Sequence, residues 1–266
     1  MKKIDGVLKK ICNKKQEEFL EKKRKKPLED LIQELESKSD VDNRDFKKAI
    51  ESERISLIAE IKKSSPSQIG KPFCNNFDPV KLARVYEDSG ASAISVITEK
   101  NFFMGDLSFL QKVKEVTKLP ILRKDFILDE YHIYESKLAG ADAVLLMASI
   151  LEKEELKLFF QLSKELKLAS LIEVHNREEL EFVLEIEGIE IIGINNRNLK
   201  TLEIDLDNFS HLSSLIPDSI IKVAESGINN NADVLRMSSS GARAILVGTS
   251  IIKSNNVSKK IKELIS

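Results

Sequence analysis

An α/β chain folded as a single (β/α)8 TIM barrel with an N-terminal helical extension is predicted by three observations. Short apolar runs alternate with amphipathic segments from residue 57 onward. Each amphipathic segment is long enough for a right-handed crossover to a parallel neighbour. Polar and charged residues gather where the apolar runs stop, the end at which barrels of this kind keep their chemistry.

The runs are Leu57–Ile61, Ala93–Ile97, Pro120–Leu122, Ala143–Met147, Ser170–Ile172, Ile189–Ile194, Ile220–Ala224 and Ala244–Val247. Their apolar, β-branched composition suits strands covered on both faces. Between them, Pro79–Ser89, Phe109–Thr117, Tyr131–Ala139, Glu152–Glu165, Glu178–Leu184, Leu206–Leu215 and Ala232–Ser239 read as helices. Several hand over through glycine, as in Ser89-Gly90-Ala91, Ala139-Gly140-Ala141 and Ser240-Gly241-Ala242, which suits a helix C-terminus entering a strand. Neither GxGxxG nor GxxxxGK[ST] occurs, and an open sheet would leave edges, so closure is the better prediction. Residues 1–50 read as a helical extension, with Ile4, Val7, Leu8 and Ile11 on one face, and residues 51–266 as the catalytic barrel.

Composition narrows the function classes. Lys plus Arg (42) nearly equal Asp plus Glu (43), so no net field points to nucleic acid as the main partner, while a local cluster can still hold a small anion. The run Lys22-Lys23-Arg24-Lys25-Lys26 reads as a solvated helix face. Cys12 and Cys74 have no CxxC or His-linked metal spacing, which fits a reduced, cytoplasmic protein without zinc. Ala143–Met147 is too short to span a bilayer, so no membrane role is expected. His132, His175 and His211 lack a partner at metal spacing and read as structural or surface residues, with His175 near the mouth.

The strand ends carry the functional signal. They read Glu60 and Lys62; Thr98-Glu99; Lys124-Asp125; Met147-Ala148-Ser149; Glu173; Asn195-Asn196-Arg197; Glu225-Ser226-Gly227; and Gly248-Thr249-Ser250. Residues two apart on a strand share a face, so Glu60 pairs in direction with Lys62 and Asn195 with Arg197. A cleft lined by Glu60, Lys62, Lys124, Glu173, Arg197 and Glu225 brings acids and bases close enough to perturb one another's pKa, as catalysis requires. Ser226-Gly227 and Gly248-Thr249 follow the last two strands, where barrels commonly bind phosphate through backbone N–H groups.

Six ordered motifs carry a resemblance over almost the whole chain. They are Ala59-Glu60-Ile61-Lys62 with Ser65-Pro66-Ser67, Lys124-Asp125-Phe126, Leu171-Ile172-Glu173-Val174, Gly193-Ile194-Asn195-Asn196-Arg197-Asn198-Leu199, Ala224-Glu225-Ser226-Gly227-Ile228 and Leu246-Val247-Gly248-Thr249-Ser250. Together they closely resemble the indole-3-glycerol phosphate synthase family of tryptophan biosynthesis. The resemblance implies a cofactor-free carbon–carbon lyase that closes the indole ring of 1-(2-carboxyphenylamino)-1-deoxyribulose 5-phosphate, releasing carbon dioxide and water. Lys124 would act as general acid on the ribulose carbonyl oxygen, where burial that lowers its pKa would make it a better acid, and Glu173 would serve in proton transfer.

By the same resemblance, Lys62 would hold an anionic group and assist dehydration, and Glu60 would orient or deprotonate. Asn195 and Arg197 would position the substrate carboxylate. Ser65, Glu225 and Phe126 are expected to contact substrate, and Ser226, Gly227, Gly248 and Thr249 its phosphate. Without Trp, aromatic packing falls to Phe102, Phe103 or Phe126. The partner implied is a small phosphorylated substrate, met by a monomer that could associate with other tryptophan-pathway enzymes.

Two places depart from the family pattern. Gln68-Ile69-Gly70-Lys71 stands where many relatives have Lys-Gly, displacing the first loop's basic group, and Asp106 stands where Ser is usual. The residues alone leave two other readings open: a Schiff-base aldolase using Lys124 or Lys62, and a non-catalytic barrel binding a phosphorylated metabolite.

Overall fold

In the computed structural model, which describes residues 2, 4–38, 42–66, 70–199 and 201–266, the apolar runs form eight parallel strands. They are β1 (Ser56–Ile61), β2 (Ala93–Ile97), β3 (Ile121–Lys124), β4 (Ala143–Met147), β5 (Ala169–Val174), β6 (Ile191–Asn195), β7 (Ile221–Glu225) and β8 (Ala244–Val247). Each pairs with its neighbours in sequence and β8 pairs with β1, so the sheet closes with no free edge. Nearly every strand residue is buried, because the inward side chains fill the barrel and the outward ones meet helices.

Seven helices return the chain between strands: α4 (Pro79–Asp88), α5 (Ser108–Lys114), α6 (Glu130–Leu138), α7 (Lys153–Glu165), α8 (Arg177–Leu184), α9 (Asp207–Ser213) and α10 (Asn231–Ser239). Asp78, Asp129, Asn176 and Asn230 cap α4, α6, α8 and α10 by accepting from backbone N–H groups of the first turn. At the other ends Gly90, Gly140 and Gly241 take φ of 98°, 88° and 93°, the left-handed turn that frees the chain to enter β2, β4 and β8.

The structure extends several strands beyond the sequence expectation. β3 continues to Lys124, β5 spans Ala169–Val174, and β6 and β7 include Asn195 and Glu225. Polarity was expected to end these strands, but backbone pairing carries on, with Met147 beside Glu173 and Asn195 beside Glu225. After β8 the chain forms α11 (Thr249–Ile252) and α12 (Val257–Leu264), which the sequence reading did not name. Asn256 caps α12, whose Ile261 and Leu264 enter the core.

Residues 1–50 form not one helix but three: α1 (Gly6–Lys25), α2 (Leu28–Ser37) and α3 (Phe46–Ile50). Pro27 lacks an N–H and begins a new helix rather than continuing the old one. Leu8 and Cys12 of α1 join the main core with Phe46 and Ile50 of α3. Lys22, read from sequence as part of a solvated face, lies 2.6 Å from Glu135 of α6. Lys15 is buried, 2.6 Å from Asp125, just beyond β3.

Candidate active site

Alternate strands supply the floor of a cleft at the carboxyl ends. Glu60 of β1, Lys124 of β3, Glu173 of β5 and Glu225 of β7 point inward as a ring of four, the layering that an eight-stranded barrel imposes on alternate strands. One ammonium thus sits among three carboxyl groups. Lys124 Nζ lies 2.8 Å from Glu173 Oε2 and 3.1 Å from Glu225 Oε2. Lys62, one step above the ring, places Nζ 2.7 Å from Glu60 Oε1.

Two glycines, one in β6 and one just after β8, leave space for this ring. A Cβ at Gly193 of β6 would run into Glu225 Oε1 and Leu171, and one at Gly248 into the carboxylate of Glu60. Gly193 stood in one of the sequence motifs but received no role there; two inward acids facing a missing side chain are visible only once the register is known.

The charges shift one another strongly. Burial disfavours the Lys124 ammonium, yet Glu173, Glu225 and Glu60 outweigh it and hold the group above the ordinary lysine range. This corrects the expectation that burial lowers its pKa: three acids facing one base decide the sign. Burial also opposes ionisation of Glu173, but Lys124 and His175 pull its pKa well below the usual carboxylate value. Glu225 goes the other way, up to about 8, through burial first and then the adjacent Glu173 charge, against the pull of Lys124. Near neutrality the two carboxyls therefore differ, one ionised and one protonated, a division that lets one ring hold both a base and an acid.

The residues expected from the sequence to act in catalysis or to hold the substrate and its phosphate line the same cleft of about 430 Å³: Glu60, Lys62, Ser65, Lys124, Phe126, Glu173, Asn195, Arg197, Glu225, Ser226, Gly227, Gly248 and Thr249. Asn195 Oδ1 accepts from the Arg197 backbone N–H at 3.0 Å, and the Arg197 guanidinium donates to the Leu202 carbonyl at 2.9 Å. Ser226 and Gly227 have φ of 64° and 85°, so consecutive left-handed residues turn the chain sharply at the mouth after β7. Asn196 braces that turn from behind, its Nδ2 donating to the Ser226 carbonyl at 3.1 Å.

The upper wall is apolar. Phe103 and Phe126 line it with ring centroids 6.4 Å apart, while Phe102 is not part of the lining. Phe73, unforeseen from sequence, completes the wall, with Lys62 Nζ 5.9 Å and Lys253 Nζ 5.2 Å from its ring centre. Val7, Leu8 and Ile11 of α1 close one side; their helical spacing had suggested only packing.

Asp106 does not line the cleft; its Oδ1 accepts from Ser108 N at 2.8 Å and fixes the start of α5. Of the first-loop departure Gln68-Ile69-Gly70-Lys71, Gln68 and Ile69 lie outside the described residues, and the Lys71 carbonyl accepts from Ser64 Oγ at 2.8 Å. His175, read as structural or surface, is half-buried, its side chain enclosed beside the ring with Nε2 3.2 Å from Glu173 Oε1. His132 is buried away from the cleft lining, against Phe19, and burial pushes its pKa down to about 3.

A closed (β/α)8 barrel whose strand ends gather a lysine, three carboxyl groups and glycine-rich turns belongs to the class of barrel enzymes that act on small anionic substrates. A family profile described as indole-3-glycerol phosphate synthase matches residues 8–264, and the chain belongs to that family. It is 46% identical over 260 residues to the indole-3-glycerol phosphate synthase of Thermoanaerobacter pseudethanolicus, covering 97% of each chain. It is 44% identical over 261 residues to that of Alkaliphilus metalliredigens, again covering 97% of each. Among solved structures, thiamine phosphate pyrophosphorylase from Pyrococcus furiosus superposes with a TM-score of 0.57 at 18% identity, covering 79% of this chain and 93% of that one, a likeness of fold alone.

Proposed function

We infer that this chain is a carboxy-lyase of tryptophan biosynthesis that converts 1-(2-carboxyphenylamino)-1-deoxyribulose 5-phosphate to indole-3-glycerol phosphate, carbon dioxide and water. Family membership supports the reaction. The observation that carries the chemistry is the Lys124 ammonium held by Glu173 and Glu225 on the cleft floor, below an apolar wall.

In this reading Ser226, Gly227, Gly248 and Thr249 take the phosphate. The substrate's aromatic ring rests on Phe126 and its neighbours, with Asn195 and Arg197 directing its carboxylate. The ring carbon bearing that carboxylate attacks the ribulose carbonyl carbon while Lys124 passes a proton to the carbonyl oxygen. Donors already aimed at the developing alkoxide lower the barrier without reorganising. Loss of carbon dioxide restores aromaticity in the benzene ring. Elimination of the new hydroxyl as water follows, assisted by Lys62 and by proton transfer at Glu173, with Glu60 orienting Lys62. Glu225, which keeps its proton near neutrality, can donate to a substrate oxygen. Ser65 meets the substrate from the first loop.

The aldolase alternative needs a neutral amine, and an ammonium stabilised by three carboxyl groups is a poor nucleophile. No helix among the described residues is long and apolar enough to cross a membrane. Our reading places the enzyme in the cytoplasm as a monomer, with residues 1–50 as an extension and 51–266 as the catalytic unit. Contacts with other tryptophan-pathway enzymes complete this reading. Incubating the purified protein with the carboxyphenylamino-deoxyribulose phosphate should give the fluorescence of an indole product. No product at neutral pH from folded protein overturns the assignment.

A further inference from the structure

We propose that His175 is a positioning residue that acts through Glu173, supplying the positive charge that keeps Glu173 ionised and oriented after Lys124 has given up its proton. The inference rests on the assignment of Lys124 as proton donor and extends it to a residue that never touches substrate.

His175 follows Glu173 by two residues at the end of β5, so both turn toward the same side. Its side chain is 7% exposed and stands between two carboxylates. Nδ1 is 3.1 Å from Glu179 Oε2 of α8. Nε2 is 3.2 Å from Glu173 Oε1 but off the line of a hydrogen bond, so the attraction there is between charges. The backbone fixes this placement: His175 N donates to the same Glu179 oxygen at 2.8 Å, and Asn208 of α9 donates to the His175 carbonyl at 3.2 Å. The charged groups bearing on the ring are Glu173 from β5 and Glu179 from α8, with Lys124 beyond Glu173.

Only the imidazolium suits such a site. A neutral ring would turn a lone pair toward one of the two carboxylates, whereas the cation presents N–H groups to both. Burial favours the neutral ring, but the two acids outweigh it and raise the pKa to about 9.

The consequence appears during turnover. Before reaction Glu173 has one cation per oxygen, Lys124 at Oε2 and His175 at Oε1. When the proton leaves Lys124 Nζ for the substrate carbonyl oxygen, the lysine becomes a neutral amine and the buried Glu173 carboxylate loses that partner. His175 is then its remaining counter-charge. An interaction worth more after proton transfer than before it accelerates the step, because it stabilises the transition state more than the ground state.

The test compares wild type with His175→Gln across pH. The ratio of their kcat values should be about tenfold near pH 7 with KM little changed. It should fall toward one above a pH of about 10, one unit past the His175 pKa of about 9, where the wild-type ring is also neutral. A ratio independent of pH overturns the proposal, because a packing defect does not disappear when a ring loses its charge. In wild type, NMR titration of the three histidines, with His175 assigned by its absence from the variant, should give a midpoint above about 8. A midpoint below about 8 overturns it. Activity retained in both Lys124→Ala and Glu173→Gln would instead remove the underlying assignment, while inactivity in those two beside a wild-type His175→Gln removes this inference alone.

Discussion

β3 presents two buried charge clusters on opposite faces, and they are built to different standards. Outward, Arg123 and Asp125 form a closed network in which every N–H of the guanidinium is used. Nε donates to Thr98 Oγ1, NH1 to the His132 carbonyl and Ser136 Oγ, and NH2 to Asp125 and Glu135. Asp125 also takes Lys15 of α1 and the Phe126 N–H. Inward, between those two residues in sequence, Lys124 faces an excess of acids, and Glu225 Oε1 is buried with no hydrogen-bond partner among the described residues. The outer cluster is satisfied and ties the extension to the barrel. The inner one keeps an unspent acceptor and a proton on Glu225, the unequal charging expected of groups that react rather than brace.

The contrast is broken most sharply by exchanging effects across β3. Arg123→Met leaves Asp125 and Glu135 short of a counter-charge in a dry interior, so urea unfolding should show a loss of about 3–5 kcal/mol. Its kcat, measured on the fraction still folded, should change far less. Lys124→Ala and Glu173→Gln should do the reverse, each cutting kcat by at least about 100-fold, the low end for general acid–base groups. Their unfolding midpoints should stay within about 1 kcal/mol of wild type. If Lys124→Ala unfolds like Arg123→Met while retaining turnover, the distinction between the faces fails.

Sequence made the inner face more legible than the outer. Glu60, Lys124, Glu173 and Glu225 end apolar runs, where charge has no packing reason to be, and parity along a strand puts Glu60 with Lys62 and Asn195 with Arg197. Arg123 and Asp125 flank Lys124 in the same short stretch, but their partners come from α1, β2 and α6, and no local pattern joins Lys15 to Asp125 across 110 residues. The same limit hid His175, whose nearby Glu173 is obvious but whose second acid, Glu179, belongs to the following helix. It also hid the sign of the Lys124 shift, which depends on how many acids face the ammonium rather than on which residues end strands. Helix breaks were missed where one residue decides them, as at Pro27.

Titration sharpens the comparison further. Glu225 is raised from 4.5 to about 8 in the folded chain. Folded protein therefore binds this proton more tightly than unfolded protein does. The associated stability is fully present below pH 4.5 and is lost as pH rises through about 8. Wild type should lose stability relative to Glu225→Gln across that window, by at least about 1.4 kcal/mol, the equivalent of one pKa unit. Urea unfolding at pH values spanning the window measures it. A difference that does not vary with pH would mean Glu225 is ionised throughout and that the inner ring holds no spare proton.

The smallest expected effect concerns space rather than charge. Gly193 on β6 lies beside Glu225 on the neighbouring β7, and an added methyl would run into Glu225 Oε1, which must move, and stand 3.2 Å from Leu171, which need give only slightly. The carboxylate end of Glu225 is the softer neighbour, since only Oε2 is anchored, on Lys124 at 3.1 Å. It should swing away and weaken one of the two contacts that centre the ammonium, without opening a cavity. Gly193→Ala should then lower kcat about fivefold, roughly 1 kcal/mol of barrel-floor alignment, with the fold intact. Combined with Glu225→Gln, the same substitution should cost less than it does alone, because the contact between this side chain and Lys124 is already altered and less alignment remains to be lost. Strict additivity of the two would place the methyl's effect on Leu171, in the packing of the barrel, and not on the charge ring.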